Sequence, residues 1–166
     1  MALIANKLES IRHITLLVLL TGVAYYDLRF RIVPNFLTAP ALVVGLVLLG
    51  AEGLEAFLRT IWLALLLTYP FFYGFQKGWM GGGDVKLVAV VSVLAGQKLA
   101  TAVFWAGILA GGTLSLVSLA MASLRDENAD ARGPIWVPYA AGYALGAMLL
   151  QALLALGWAP LPSLLN

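Results

Sequence analysis

Residues 81–96 read Gly-Gly-Gly-Asp-Val-Lys-Leu-Val-Ala-Val-Val-Ser-Val-Leu-Ala-Gly, three glycines and an acid followed by a short apolar run. An α-helix from Asp84 to Gly96 would rise only about 20 Å, whereas the hydrocarbon core of a bilayer is about 30 Å thick. If this run crosses a membrane, Asp84 starts its helix below the interface. Non-helical backbone at that depth persists only where protein buries it or water hydrates it, so the three glycines are expected to line a polar pocket.

The composition of the whole chain is that of a membrane protein. Of its 166 residues, 62% are hydrophobic and 11% are charged, and its mean hydropathy is +0.95. Spanning segments need about 20 residues each, and long apolar runs without alternation favour helices over barrel strands. We predict one transmembrane domain over residues 1–166, an all-α polytopic membrane protein of about six transmembrane helices. The predicted helices cover residues 12–28, 36–51, 54–75, 84–97, 99–124 and 135–157.

The composition also narrows the possible chemistry. The chain contains no cysteine and a single histidine, His13, so neither thiolate nor clustered imidazole ligands are available for a metal, and a serine triad is not expected. The net charge of +2 is spread along the loops without the basic face that nucleic-acid binding requires. We therefore predict no metal, no cofactor and no nucleic-acid partner, with the lipid bilayer as the surrounding medium.

The loops differ in charge. Residues 28–35, 76–83 and 125–133 carry basic side chains, whereas residues 51–55 are acidic. Cytoplasmic loops of membrane proteins are enriched in Lys and Arg, so the basic loops are predicted to face the cytoplasm, although Lys7 and Arg12 near the N-terminus favour the opposite orientation.

Two acids occur where acids are costly, inside or beside apolar segments. Asp27 ends the first apolar run, and Asp84 follows the glycines; the chain crosses the membrane twice between them, which places both at one face. Two carboxylates close together in a medium of low dielectric constant share a proton, as in aspartic proteases. The ionised member would take a proton from a water that attacks a peptide carbonyl, while the protonated member stabilises the oxyanion.

The residues around Asp84 have two interpretations each. Gly81, Gly82 and Gly83 allow close approach of an extended substrate strand, or they simply form a tight turn. Lys86 either orients the acids or the substrate carbonyls, or it reaches the interface as a snorkelling lysine.

Small residues recur at a spacing of four in the last two predicted helices. Gly107 and Gly111, and likewise Gly142 and Gly146, lie on one face of their helices. This spacing is typical of close helix packing in membranes.

These residues together resemble the type IV prepilin peptidase family. Residues 81–87, Gly-Gly-Gly-Asp-Val-Lys-Leu, match its Gly-x-Gly-Asp motif. Members of the family have a first catalytic Asp at the end of an early helix, ahead of a Pro-Asn or Pro-Asp turn, as Asp27 precedes Pro34 and Asn35 here. A proline at the start of the last helix, here Pro138, completes the resemblance.

The resemblance implies an aspartic endopeptidase of the prokaryotic inner membrane. Its substrates would be type IV prepilin or pseudopilin precursors, cut at the cytoplasmic face behind a short basic leader peptide. Without the cysteine-bearing methyltransferase insertion, the chain is expected to be the short, peptidase-only form. The implied catalytic residues are Asp27 and Asp84, and the implied substrate-binding or site-shaping residues are Gly81, Gly82, Gly83, Lys86, Pro34, Asn35 and Pro138.

Other functions remain open from the sequence. Tyr26-Asp27 together with the Gly-x-Gly-Asp motif is also compatible with a presenilin-like intramembrane protease, although the Pro-Ala-Leu motif of that class is missing. Buried acids in helical bundles also serve as proton relays, so a proton-coupled transporter is the alternative outside the enzymes. Glu127 and Asp130, in the predicted loop 125–133, also have two interpretations. Either they attract the basic leader by charge complementarity, or they are simply solvated.

Overall fold

The computed structural model describes residues 2–124 and 138–156. The predicted loop 125–133, with Glu127 and Asp130, and the predicted helix start at 135–137 lie outside the described residues. Within the described part, every regular element is an α-helix. These helices are α1 (Ala2–Phe30), α2 (Asn35–Glu52), α3 (Leu54–Gln76), α4 (Gly82–Leu124) and α5 (Tyr139–Ala155).

Helix α4 is a hairpin of two helical segments. Its backbone leaves the helical region at Gly96, where φ is 67° and ψ is 175°. The side chain of Tyr139 interacts with Asp84 before this break and packs on Gly111 after it. A continuous helix would separate Asp84 from Gly111 by about 40 Å, so the chain must reverse at Gly96. We call residues 82–95 α4a and residues 97–124 α4b.

The described chain is an all-α polytopic membrane protein, as predicted. By length and composition, α1 to α4 are apolar enough to span a membrane, and α5 is a shorter apolar helix. With α4 counted as two segments, residues 2–124 and 138–156 form six helical segments, in agreement with the predicted number. Large apolar side chains such as Trp62, Leu66 and Leu109 point outward, where lipid accounts for an exposure that would be exceptional in a soluble protein.

The predicted start of the first helix at residue 12 is wrong. Helix α1 begins at Ala2, because residues 2–11 contain no helix breaker and the helix continues past the apolar run. The side chain of Arg12, at the edge of the predicted segment, is buried in the bundle and paired with Glu52.

Segment α4a is the central helix of the bundle. Leu87, Val88, Val91 and Leu94 are each 0% exposed, and they belong to one core cluster with side chains of α1 and α5. A helix that is apolar on all sides is expected to be enclosed by others. The uninterrupted run of Val and Leu after Asp84 therefore reflects a position surrounded by protein.

The glycines at a spacing of four pack α4b against α5, as predicted. A Cβ on Gly142 would lie 2.8 Å from the Cα of Gly111, and a Cβ on Gly107 would overlap the ring of Tyr143. The two helix backbones approach closely because these positions lack side chains.

Candidate active site

Asp27 lies one turn before the end of α1 and is 7% exposed. The helix ends immediately afterwards because Arg31 adopts a left-handed conformation with φ of 59°. The Oδ2 atom of Asp27 accepts a hydrogen bond from the backbone N–H of Ala141 at 2.8 Å. Ala141 is in the first turn of α5, which Pro138 precedes without a side-chain cap of its own. The carboxylate of Asp27 thus satisfies a free amide at the N-terminus of another helix.

Asp84 is in the first turn of α4a, directly after the glycine turn. Its backbone N–H donates to the carbonyl of Gly81 at 3.2 Å, and its carboxylate lies beside the Gly81 backbone. The turn therefore folds around the acid and fixes the direction in which its carboxylate points.

The structure brings the two acids together at one end of the bundle, which we call the site end. Their carboxylates are close enough to interact electrostatically. Helices α2 and α3 lie between them in the chain, and these two crossings return it to the same end. Asp27 on α1 and Asp84 on α4a thus lie within electrostatic range of each other, with the N-terminus of α5 beside them.

Tyr139, the first residue of α5, forms a further wall of the site. Its side chain interacts with Asp84, and its ring lies 5.9 Å from that of Phe71 and 6.3 Å from that of Tyr143, measured between centroids. Sequence reasoning singled out Pro138 but missed both Tyr139 and the amide of Ala141. The only available signal was the proline that marks the start of this helix.

The glycine turn packs directly on the turn between α1 and α2. A Cβ on Gly83 would lie 3.1 Å from the Cβ of Val33, and one on Gly82 would lie 3.3 Å from the ring of Phe75. By contrast, a Cβ on Gly81 would make only ordinary contacts, the nearest at 3.8 Å from Asp84. The last two glycines are therefore explained by close packing within the protein.

Lys86 and Asn35 connect the same two turns. The Nζ of Lys86 donates to the Oδ1 of Asn35 at 3.0 Å, across 51 residues of sequence. Asn35 is the first residue of α2, and Pro34, whose φ is −77°, precedes it as the N-cap. The turn that carries Val33 and Asn35 is thus joined to the turn that carries Gly83 and Lys86, beside Asp84.

No group of three or more His, Asp or Glu side chains suited to a metal ion occurs among residues 2–124 and 138–156. The described site consists of two carboxylates, one phenol and backbone amides. These groups can move protons and donate hydrogen bonds to a carbonyl.

Comparison with known proteins assigns the family. The type IV leader peptidase family matches residues 14–116, which is more than half of the chain and includes both Asp27 and Asp84. The chain belongs to the type IV leader peptidase family. Helix α5, with Tyr139 and Ala141, lies beyond the matched region.

A curated member of the type IV leader peptidase family is also similar. The prepilin leader peptidase/N-methyltransferase of Bacillus subtilis (strain 168) is 29% identical over 151 residues, which cover 86% of this chain and 56% of that protein. The chain therefore spans about half the length of the curated relative that it matches. No solved structure matches the chain.

Proposed function

We propose that this member of the type IV leader peptidase family is an aspartic endopeptidase that removes leader peptides from prepilin-like precursors. The observation that carries the proposal is the pair of carboxylates, Asp27 and Asp84, which interact electrostatically at one end of an apolar bundle. Membrane proteins rarely hold two interacting acids without a function for them. The family match favours this activity over a presenilin-like protease and over a proton-coupled transporter. The site draws on α1, α4a and α5, which supports treating the whole chain as one peptidase domain.

In the proposed mechanism, one carboxylate is ionised and the other is protonated. The ionised carboxylate removes a proton from water as its oxygen attacks the peptide carbonyl, and the protonated carboxyl gives its proton to the carbonyl oxygen. In the second step, the pair gives its proton to the nitrogen of the gem-diol intermediate and the C–N bond breaks. One hydroxyl of the gem-diol returns its proton to the pair as the amine and the carboxylic acid form. Because the acids titrate as a pair, the resting proton is assigned to the pair as a whole.

The contacts of Asp27 and Asp84 give each a fixed orientation for this reaction. The N–H of Ala141 holds one oxygen of Asp27, and the Gly81 backbone holds the carboxylate of Asp84. Preorganised acids avoid reorganisation as the transition state forms. Gly81 to Gly83, Lys86, Pro34, Asn35 and Pro138 shape this site in the proposal.

The proposed substrate is a precursor with a short basic leader, cut at the cytoplasmic face of the inner membrane. The printed name of the Bacillus subtilis relative supports a prepilin as substrate. The exposed Arg29 and Arg31 follow Asp27 directly, and an excess of basic residues favours the cytoplasmic side. The site end of the bundle therefore faces the cytoplasm in the proposal.

Co-expression of the chain with a candidate prepilin tests the activity. The variants are Asp27→Asn and Asp84→Asn, which keep the size of each side chain and an oxygen acceptor. Glu55→Gln is the matched control, because Glu55 is an exposed acid paired with Arg59 on its own helix. Precursor and mature bands are followed by immunoblot, and membrane insertion is checked for every variant.

We expect complete cleavage by the wild type and by Glu55→Gln, and a loss of at least about 1,000-fold in both catalytic variants, in line with removal of an essential catalytic group. Undiminished cleavage by either inserted variant excludes the two-aspartate mechanism. If the wild type cleaves none of a panel of basic-leader precursors in isolated membranes, the proposed activity is wrong.

A further inference from the structure

Segment α4a is bounded by glycines at both ends. The glycine turn at residues 81–83 precedes Asp84, and Gly96, at φ of 67°, breaks the helix at its other end. Its surface is formed largely by Val and Leu side chains, whose contacts are not directional. Specific contacts therefore decide how far α4a slides along its own axis, and with it the position of Asp84. At the site end these contacts are those of Gly83 with Val33 and of Lys86 with Asn35.

One directional contact does hold the far end of α4a, opposite the site end. Arg12, on α1, is 5% exposed. Its Nη1 donates to the carbonyl oxygen of Leu94 at 2.7 Å, and its Nη2 forms an ion pair with Glu52 at the end of α2. Because α4a stops at Gly96, the carbonyls of its last turn lack helical amide partners, and a cation there is favourable.

The guanidinium lies directly on the helix break. A Cβ on Gly96 would overlap Nη1 of Arg12, so the glycine provides both the backbone conformation and the space for the arginine. Burying a cation inside a membrane bundle is costly, and such residues usually have a specific role. The family motifs at the site end, and the proposed chemistry there, do not require a cation at this position.

Arg12 and Asp27 are on the same helix. They are 15 residues apart, which is about 22 Å along α1, and Leu94 is about 15 Å along α4a from Asp84. Both segments are regular helices between these points, so each acts as a rigid spacer. From the far end of α4a, the contact of Arg12 with Leu94 consequently contributes to the axial position of Asp84 relative to Asp27.

We propose that Arg12 is a positioning residue for the aspartate pair: by binding the carbonyl end of α4a and Glu52, it sets the register between the two helices that carry the acids. As a role in catalysis, this rests on the proposed peptidase function. The register itself is a structural property that is measured without activity.

The kinetic test uses Arg12→Met, which keeps the apolar stem and removes the guanidinium. We expect kcat to fall about tenfold to a hundredfold with KM changed less than about twofold, because small displacements of reacting groups have effects of that size while the substrate-binding surface is unaltered. Arg12→Lys keeps the charge but lacks the planar fork that reaches two partners, so it should restore kcat only in part. Lys98→Met, which removes an exposed cation just beyond Gly96, is the control and should behave as the wild type.

The structural test measures the separation of the acids directly. The chain contains no cysteine, so Asp27→Cys with Asp84→Cys introduces the only two thiols. Purified protein is treated with a short bis-maleimide, and the intramolecular cross-link is quantified in the folded fraction. We expect the yield to fall several-fold when Arg12→Met is added, to recover in part with Arg12→Lys, and to stay unchanged with Lys98→Met.

An unchanged cross-linking yield in folded Arg12→Met overturns the proposal and leaves Arg12 as a contributor to stability alone. If Arg12→Met does not insert, Arg12→Lys decides: a reduced yield supports the positioning role, and a wild-type yield contradicts it. Absence of peptidase activity would refute the proposed function but would leave the cross-linking result to be judged on its own.

Discussion

At the scale of single residues, the candidate site depends on polar contacts between distant parts of the chain. Asp27 binds the amide of Ala141, 114 residues later, and Lys86 binds Asn35. Each contact joins a residue of one sequence motif to another helix. The residues of these motifs therefore have two explanations: the chemistry proposed for the acids, and the hydrogen bonds that connect one motif to another.

The contact between Lys86 and Asn35 predicts a specific pattern of mutational effects. Lys86→Met and Asn35→Ala should each lower the rate of precursor cleavage by about tenfold, because the start of α4a loses its link to α2 and Asp84 shifts. The double variant should be no worse than either single variant, since both remove one interaction. Asn35→Asp should keep the activity, because a carboxylate still accepts the bond from the lysine. Cleavage rates in isolated membranes measure all four.

Lys77→Met is the control for this series. Lys77 is an exposed cation that lies over the ring of Tyr73, and its removal should leave the rate unchanged. Additive losses in the double variant would show that Lys86 and Asn35 act separately, against the proposed link.

At the scale of helices, the packing of α4b against α5 depends on the positions of glycines. Helices α4b and α5 approach closely enough for Gly142 to contact the backbone of Gly111. The N-terminus of α5 then lies beside the acids, and both Tyr139 and Ala141 reach them. Close packing of these helices is thus a condition for the geometry of the site.

The effect of a side chain at Gly146 tests whether close packing of α4b and α5 is required. In Gly146→Ala, the new Cβ would lie 2.5 Å from the Cβ of Ala110 and would overlap the carbonyl oxygen of Ala106. Overpacking of this kind costs about 1–3 kcal/mol, so we expect the free energy of unfolding in mixed micelles to fall by that amount. Cleavage should fall as well, because α5 moves away from the acids.

Gly112→Ala is the matched control, since a Cβ there meets nothing within 4 Å. It should be neutral or slightly stabilising, because alanine favours the helix over glycine. Equal destabilisation by Gly112→Ala and Gly146→Ala would show that the close contact at Gly146 does not explain the effect.

At the scale of the whole molecule, orientation in the membrane decides which compartment the site faces. The exposed Trp79 lies in the turn before α4a at the site end, and the exposed Gln97 follows Gly96 at the far end. In the cysteine-free chain, Trp79→Cys and Gln97→Cys each introduce a single thiol. A membrane-impermeant maleimide added to intact cells should label Gln97→Cys alone, and both variants after lysis. Labelling of Trp79→Cys from outside would contradict cleavage at the cytoplasmic face.

The two helices that carry the acids could be located from the sequence, and so could the acids themselves. Inside a bilayer every backbone group must be satisfied within a helix, so the length of each apolar run indicates its structure without knowledge of its neighbours. The glycines at 107, 111, 142 and 146 were informative for the same reason, because their spacing is a property of a single helix.

The partners of these residues could not be located in this way. The sequence shows Arg12 at the start of the first apolar run but does not indicate that it lies buried against Leu94 and Glu52. Tyr139 and Ala141 gave no signal of their own beyond the proline that precedes them.

The amino-acid sequence by itself thus determined the helical architecture and the number of segments, and it singled out the two acids proposed as catalytic, because these follow from hydrophobicity and from spacing within one helix. Only the tertiary structure decided which groups surround the acids and what holds α4a in register. Those contacts join residues 40 to 114 positions apart, and they depend on the rotation and axial offset of packed helices. Contacts between apolar surfaces are not directional and determine that offset only weakly. A few directional polar contacts decide it, and these are visible only in the folded bundle.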